Sequence, residues 1–158
     1  MADRLGVVNI SLAGPYDALL ARQIDALMNS GAIVVAADNP DSDSRRFPAM
    51  LERVISATVP GDKRQLSPAP IRVEDEHFST RAGGGYQFFY GSSMSAARVT
   101  GLITVLLQRR PGLTANAARR ILGDIHRHCT QAPPEAACTL KFALTEGMSP
   151  KTMNQVKR

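Results

Sequence analysis

Tryptophan is absent from this chain of 158 residues, cysteine occurs twice, and aromatic residues make up only 5%. Two cysteines, Cys129 and Cys138, close at most one bridge, which excludes the small scaffolds that several disulfides hold in place of a core. Few aromatics leave little from which to build a base-stacking platform for single-stranded nucleic acid. Charge of one sign is not concentrated either. The 19 Lys and Arg against 14 Asp and Glu give +5, but the basic residues are scattered as Arg45-Arg46, Arg109-Arg110, Arg119-Arg120 and Lys151, Lys157, Arg158. Without a basic run, no nucleic-acid partner is expected. No apolar run approaches the roughly 20 residues of a membrane span. Met1–Arg4 leads at once into Leu5-Gly6-Val7-Val8-Asn9-Ile10, with no signal h-region, as though a domain were entered part-way. The nucleotide-binding α/β class is disfavoured, because no G-x-G-x-x-G or G-x-x-x-x-G-K follows a strand-like run.

What is present is an ordinary globular composition, 44% hydrophobic and 21% charged. A domain of this length buries roughly two thirds of the surface of its unfolded chain, enough for a core without metals or disulfides. Val7 to Leu12 reads as a strand buried on both faces, and Ala13-Gly14-Pro15 ends it. Asp17 then suits an N-cap, Leu20, Ile24, Leu27 and Met28 repeat at helical spacing, and Ser30-Gly31 stops the helix. Ala32 to Ala37 reads as a second buried strand. Strand, helix and strand in this order make a βαβ unit, which requires parallel strands and a right-handed crossover. The fold class expected is therefore α/β, a mainly parallel sheet with packed helices.

A polar stretch from Asp38 to Arg46 precedes a third strand, Val54 to Val59, closed by Pro60-Gly61. Residues 61 to 85 read as loop, with the acidic run Glu74-Asp75-Glu76 and Gly83-Gly84-Gly85 at the end. Ser92 to Arg109 is apolar nearly all round and reads as a buried helix. Pro111-Gly112 breaks it, and Thr114 caps a shorter helix that Leu122-Gly123 should end.

Gly91-Ser92-Ser93 sets hydroxyls at the mouth of that buried helix, where unpaired N–H groups and the helix dipole favour negative charge. Helix capping by serine is the plain alternative. Three blocks in order carry more weight than any alone: Asn9-Ile10-Ser11-Leu12-Ala13-Gly14, Val34-Val35-Ala36-Ala37-Asp38-Asn39, and Gly91-Ser92-Ser93-Met94-Ser95-Ala96-Ala97-Arg98-Val99-Thr100-Gly101. Together they resemble the subtilisin-like serine peptidases (family S8), in which the corresponding runs are N-x-S-L-G-G, A-A-G-N and G-T-S-M-A-A-P-H-V-A-G. Phe47-Pro48-Ala49, Val54-Ile55, Ala69-Pro70 and Gly84-Gly85-Tyr86 continue it, from about residue 5 to about residue 123.

The resemblance implies a serine endopeptidase acting on protein or peptide substrates through an acyl-enzyme; no cofactor is expected, and no metal ligands are assigned. It makes Ser93 the nucleophile and Asn39 the oxyanion-hole donor, acting with the Ser93 backbone N–H. Ser11, Leu12, Ala13 and Gly14 would form one wall of the substrate cleft, and Ala36, Ala37 and Asp38 the other. Asp38 stands where the family has glycine, which sets a carboxylate beside the expected oxyanion. The family's Asp and His motifs lie upstream of the first block, so residues 1–123 read as a partial peptidase domain, truncated at its N-terminal side. Residues 124–158 read as a C-terminal extension with a solvated tail. Surface histidine is the expectation for His77, His126 and His128. His126-x-His128-Cys129 with Cys138 reads as a surface His pair and unpaired thiols rather than a zinc site. The alternative function is an inactive, peptide-binding relic of such a peptidase. A partial domain would also leave apolar surface uncovered, so self-association is expected.

Overall fold

The structure is a computed structural model, and it describes residues 6–39, 41–59, 66, 69–73 and 77–131, with side chains through residue 125. Four strands, β1 (Val7–Ile10), β2 (Ile33–Ala37), β3 (Ile55–Thr58) and β4 (Ile71–Arg72), form one sheet in the order β1-β2-β3-β4, parallel throughout. Register runs Ile10 opposite Ala36 and Ala36 opposite Ser56, so the strands end together at one carboxyl edge.

Side-chain alternation in β2 divides the core in two. Ile33, Val35 and Ala37 pack with Ile55, Ala57 and Ile71 against helices α2 (Ser92–Arg109) and α3 (Ala115–Gln131). Val34 and Ala36 face the opposite way, against Ile24, Met28, Phe47 and Val54 on the side of α1 (Ala18–Asn29). Helices cover both faces, which is why β2 is apolar throughout, while β3 alternates Ile55 and Ala57 with the buried hydroxyls of Ser56 and Thr58.

Helix α1 starts where the sequence places it, with the Asp17 carboxylate accepting the Leu20 N–H at 2.8 Å. Its buried stripe is Ala21, Ile24 and Met28, however, and Leu20 is exposed, because the helix meets the sheet one position round from the expected face. Helix α2 has the expected bounds but buries one side only, through Ser95, Ala96, Val99, Leu102, Ile103 and Leu106. Ala97, Gly101 and Thr104 are exposed.

Two expectations are corrected. The segment read as loop, 61 to 85, contains β4 and the first strand and turn of an antiparallel hairpin, β5 (His77–Thr80), whose second strand β6 (Tyr86–Phe89) follows directly. The three glycines that suggested a loop form its turn, each at a φ between 81° and 92° that other residues avoid. Phe78, Tyr86 and Phe88 cluster on one exposed face of this hairpin, with ring centroids 5.1 to 5.5 Å apart. Helix α3 does not stop at Leu122 but runs through Gly123 to Gln131. Ala118, Ile121, Leu122 and Ile125 all join the core, so burial of the continuing apolar stripe outweighs one glycine, a cost of about 1 kcal/mol. The boundary expected at 123 therefore lies inside a helix. The side chains of His126, His128 and Cys129, all of Cys138 and the expected tail lie outside the described residues.

Candidate active site

At the carboxyl edge of the sheet the exits of β1 and β2 part. Asp38 continues the ladder with β3, its N–H donating to the Ala57 carbonyl at 2.8 Å. The β1 exit leaves the sheet instead. Gly14 forms an isolated antiparallel bridge to Phe47, with N–H to carbonyl distances of 2.9 and 3.1 Å. Helix α2 opens at this same edge, because the Ser93 hydroxyl donates to the Ser11 carbonyl at 3.1 Å and the Ser11 hydroxyl donates to the Ser93 carbonyl at 3.0 Å.

That reciprocal pair bears on what the serine does. A capping serine accepts an N–H two or three residues ahead. Here the N-cap is Gly91, at φ 113°, and no side chain caps the helix. Ser93 instead reaches a strand exit 82 positions away in sequence. As the second residue of α2, its own N–H is among those without an intrahelical acceptor, pointing outward from the positive end of the helix dipole.

A side-chain relay holds this junction. The Thr100 hydroxyl shares its one proton between the Ala96 carbonyl at 2.8 Å and Asn9 Oδ1 at 3.0 Å, Asn9 Nδ2 donates to Ser11 Oγ at 2.9 Å, and Ser11 Oγ donates in turn to the Ser93 carbonyl. Asn9 and Thr100 fall within the sequence blocks, but only the three-dimensional pairing gives them this positioning role. Asn39 stands two residues past the end of β2, partly buried. Its Oδ1 accepts the Asp41 N–H at 2.9 Å, which fixes the orientation of the amide.

The second wall differs from expectation in its electrostatics. Ala36, Ala37 and Asp38 are buried, and the Asp38 carboxylate is turned into the α1 side of the sheet. Arg46 Nε and Nη2 donate to its two oxygens at 2.9 and 3.0 Å, and Ser56 Oγ donates at 2.8 Å. The charge expected beside the oxyanion is thus neutralised by a buried guanidinium. Of the first wall, Leu12 and Ala13 are exposed, and Ser11 and Gly14 are partly buried.

Comparison with known proteins gives the family. The sequence model of the subtilase family, peptidases S8, matches residues 56–126. Subtilisin DY of Bacillus licheniformis is 30% identical over 134 residues, covering 76% of this chain and 49% of that protein. The chain carries a subtilisin-like domain of the S8 family. It spans about half the length of that relative. Solved structures share the fold. A protease from Pseudoalteromonas arctica superposes at a TM-score of 0.66 with 20% identity, over 79% of this chain and 45% of that one. A cold adapted subtilisin-like serine proteinase gives 0.62 and 23%, over 75% and 47%.

In this subtilisin-like domain, Ser11 and Ser93 are joined directly, Ala36 to Asn39 leave the neighbouring strand, and α2 starts at the same edge. His77 lies in β5 and is partly buried. A cavity of about 390 Å³ lies at the other edge of the sheet, lined by Gly31, Ala32, Arg53 and the Pro111–Asn116 turn. It is remote from Ser93, and open α/β sheets hold ligands at the carboxyl edge instead. Next to it Arg119 ties α3 to the chain before β3 by donating to the carbonyls of Glu52 and Val54 at 2.8 and 2.9 Å. Burial lowers the pKa of that guanidinium, and the charge of Glu52 opposes the shift.

Proposed function

We propose that this domain contributes the nucleophile and oxyanion side of a serine endopeptidase site, with Ser93 as nucleophile and Asn39 Nδ2 and the Ser93 N–H as donors. The observation that carries this is the placement of Ser93 at an uncapped helix start, tied to the β1 exit rather than capping its own helix. A substrate carbonyl held there would be attacked by Ser93 Oγ, the proton passing to a base, and the oxygen that becomes negative would meet preorganised donors. The reading requires a base in addition to these residues. Among the described residues the Ser93 hydroxyl donates to a backbone carbonyl, which cannot take its proton. That observation favours the second reading, a non-catalytic peptide-binding domain.

Imidazole in solution can stand in for an absent general base, and it separates the two. Residues 1–158 incubated with a p-nitrophenyl peptide ester should give negligible turnover alone, and in imidazole buffer a rate above that of the Ser93→Ala variant. Equal rates for wild type and Ser93→Ala would remove the catalytic proposal and leave the binding domain.

A further inference from the structure

We propose that the Arg46–Asp38 ion pair is the floor of the side-chain pocket between the two walls of the cleft, limiting it to glycine, alanine and serine side chains. This rests on the peptide cleft of the preceding section and specifies what it accepts. The β1 and β2 exits part after the Ile10–Ala36 pairing, and the gap that opens would admit a substrate side chain. Residues 46 and 47 cross that gap. Phe47 is bridged through its backbone to Gly14 on one wall, and Arg46 reaches Asp38 on the other with two hydrogen bonds.

The crossing is filled. Asp38 is 0% and Arg46 8% exposed, Phe47 is buried beside them, and Tyr16 packs edge-on against Phe47 at 5.2 Å. Ser56 Oγ donates to the same Asp38 oxygen that Arg46 Nη2 meets. An aromatic or branched side chain entering between the walls would have to displace the guanidinium and leave the Asp38 carboxylate buried and unpaired, which is strongly unfavourable. A methyl or hydroxymethyl group needs no such displacement. Because the pair is internally neutral, the floor offers no net charge to an ionised side chain.

The test uses labelled residues 1–158 and acetyl-Ala-Ala-Ala-Xaa acids, with Xaa glycine, alanine, serine, leucine or phenylalanine, followed by NMR. The expected result is perturbation of residues 11–14 and 36–39, with the three small residues binding at least about tenfold more tightly than leucine or phenylalanine, a factor worth about 1.4 kcal/mol. Removing both partners together, Asp38→Gly with Arg46→Gly, should reverse the order and admit phenylalanine. The pair Asp38→Leu with Arg46→Met keeps the floor filled and should keep the small-residue preference. Wild-type binding of the phenylalanine peptide as tightly as the alanine peptide, at those same residues, overturns the proposal and leaves the cleft intact. No perturbation of those residues by any peptide, in wild type or variants, overturns the cleft itself and the proposal with it. If the double-glycine variant does not fold, the wild-type series and the Leu/Met pair decide.

Discussion

Asp38→Ala tests the energetics at the centre of this sheet edge. The carboxylate is fully buried and accepts three hydrogen bonds, two from Arg46 and one from Ser56. Its removal leaves a guanidinium that is 8% exposed with nothing to neutralise it. Breaking a buried pair from one side costs about 3–5 kcal/mol, because the surviving charge keeps its desolvation penalty and loses its partner. The orphaned Ser56 hydroxyl adds to the loss but not independently, so a total near 4 kcal/mol is expected. That is a large share of the roughly 5–15 kcal/mol that holds a domain together. With a urea slope of about 2 kcal/mol per molar, the unfolding midpoint should fall by about 2 M. Asp38→Leu with Arg46→Met, filling the same space with apolar atoms, should recover most of it. A drop below about 0.5 M for Asp38→Ala alone, as for an exposed ion pair, would refute the reasoning.

Gly101 sits inside α2 on its exposed side, and a Cβ there meets nothing within 4 Å. Gly101→Ala should raise stability by about 0.5–1 kcal/mol, seen as a higher thermal midpoint. Asp17→Ala removes the acceptor of the Leu20 N–H and should lower stability by about 1 kcal/mol in urea unfolding. Arg119→Met removes the two bonds to the carbonyls of Glu52 and Val54 and should lower stability by about 1–3 kcal/mol in the same assay. Asn39→Ala should depress the imidazole-assisted rate by about two orders of magnitude or more, a size taken from subtilisin, where the effect of losing this donor is documented.

The parallel sheet was legible because strands covered by helices on both sides must be apolar throughout. Ile33 to Ala37 is a run of that kind, whereas Val7 to Ile10 is a partly buried edge strand with Asn9 exposed and Ile55 to Thr58 includes Ser56 and Thr58, so those two were legible from their spacing around a capped helix and turn residues. The hairpin was not legible. Its strands, His77–Thr80 and Tyr86–Phe89, have no buried face to impose alternation, and their glycine turn imitates a loop. The length of α3 was missed for the opposite reason, since a local stop signal at Gly123 lost to burial of Ile125. At the candidate site, the residue types were readable from the order of three blocks. The bonds that join those blocks were not. Nothing in Asp38-to-Arg46 as a string says that a carboxylate and a guanidinium in a polar, turn-rich stretch close on each other out of solvent. The Thr100-Asn9-Ser11-Ser93 relay likewise links segments more than 80 residues apart.

The most direct measurement is a crystal structure of residues 1–158 soaked with a peptide aldehyde ending in alanine. The account predicts the aldehyde carbon at Ser93 Oγ and its oxygen about 2.7–3.1 Å from both Asn39 Nδ2 and the Ser93 backbone nitrogen, the distances an oxyanion requires. The peptide should lie along Ser11–Gly14, with its terminal methyl over the Arg46–Asp38 pair. An aldehyde oxygen directed to solvent with the Asn39 amide turned away, or a peptide bound elsewhere while this edge stays unchanged, would contradict it.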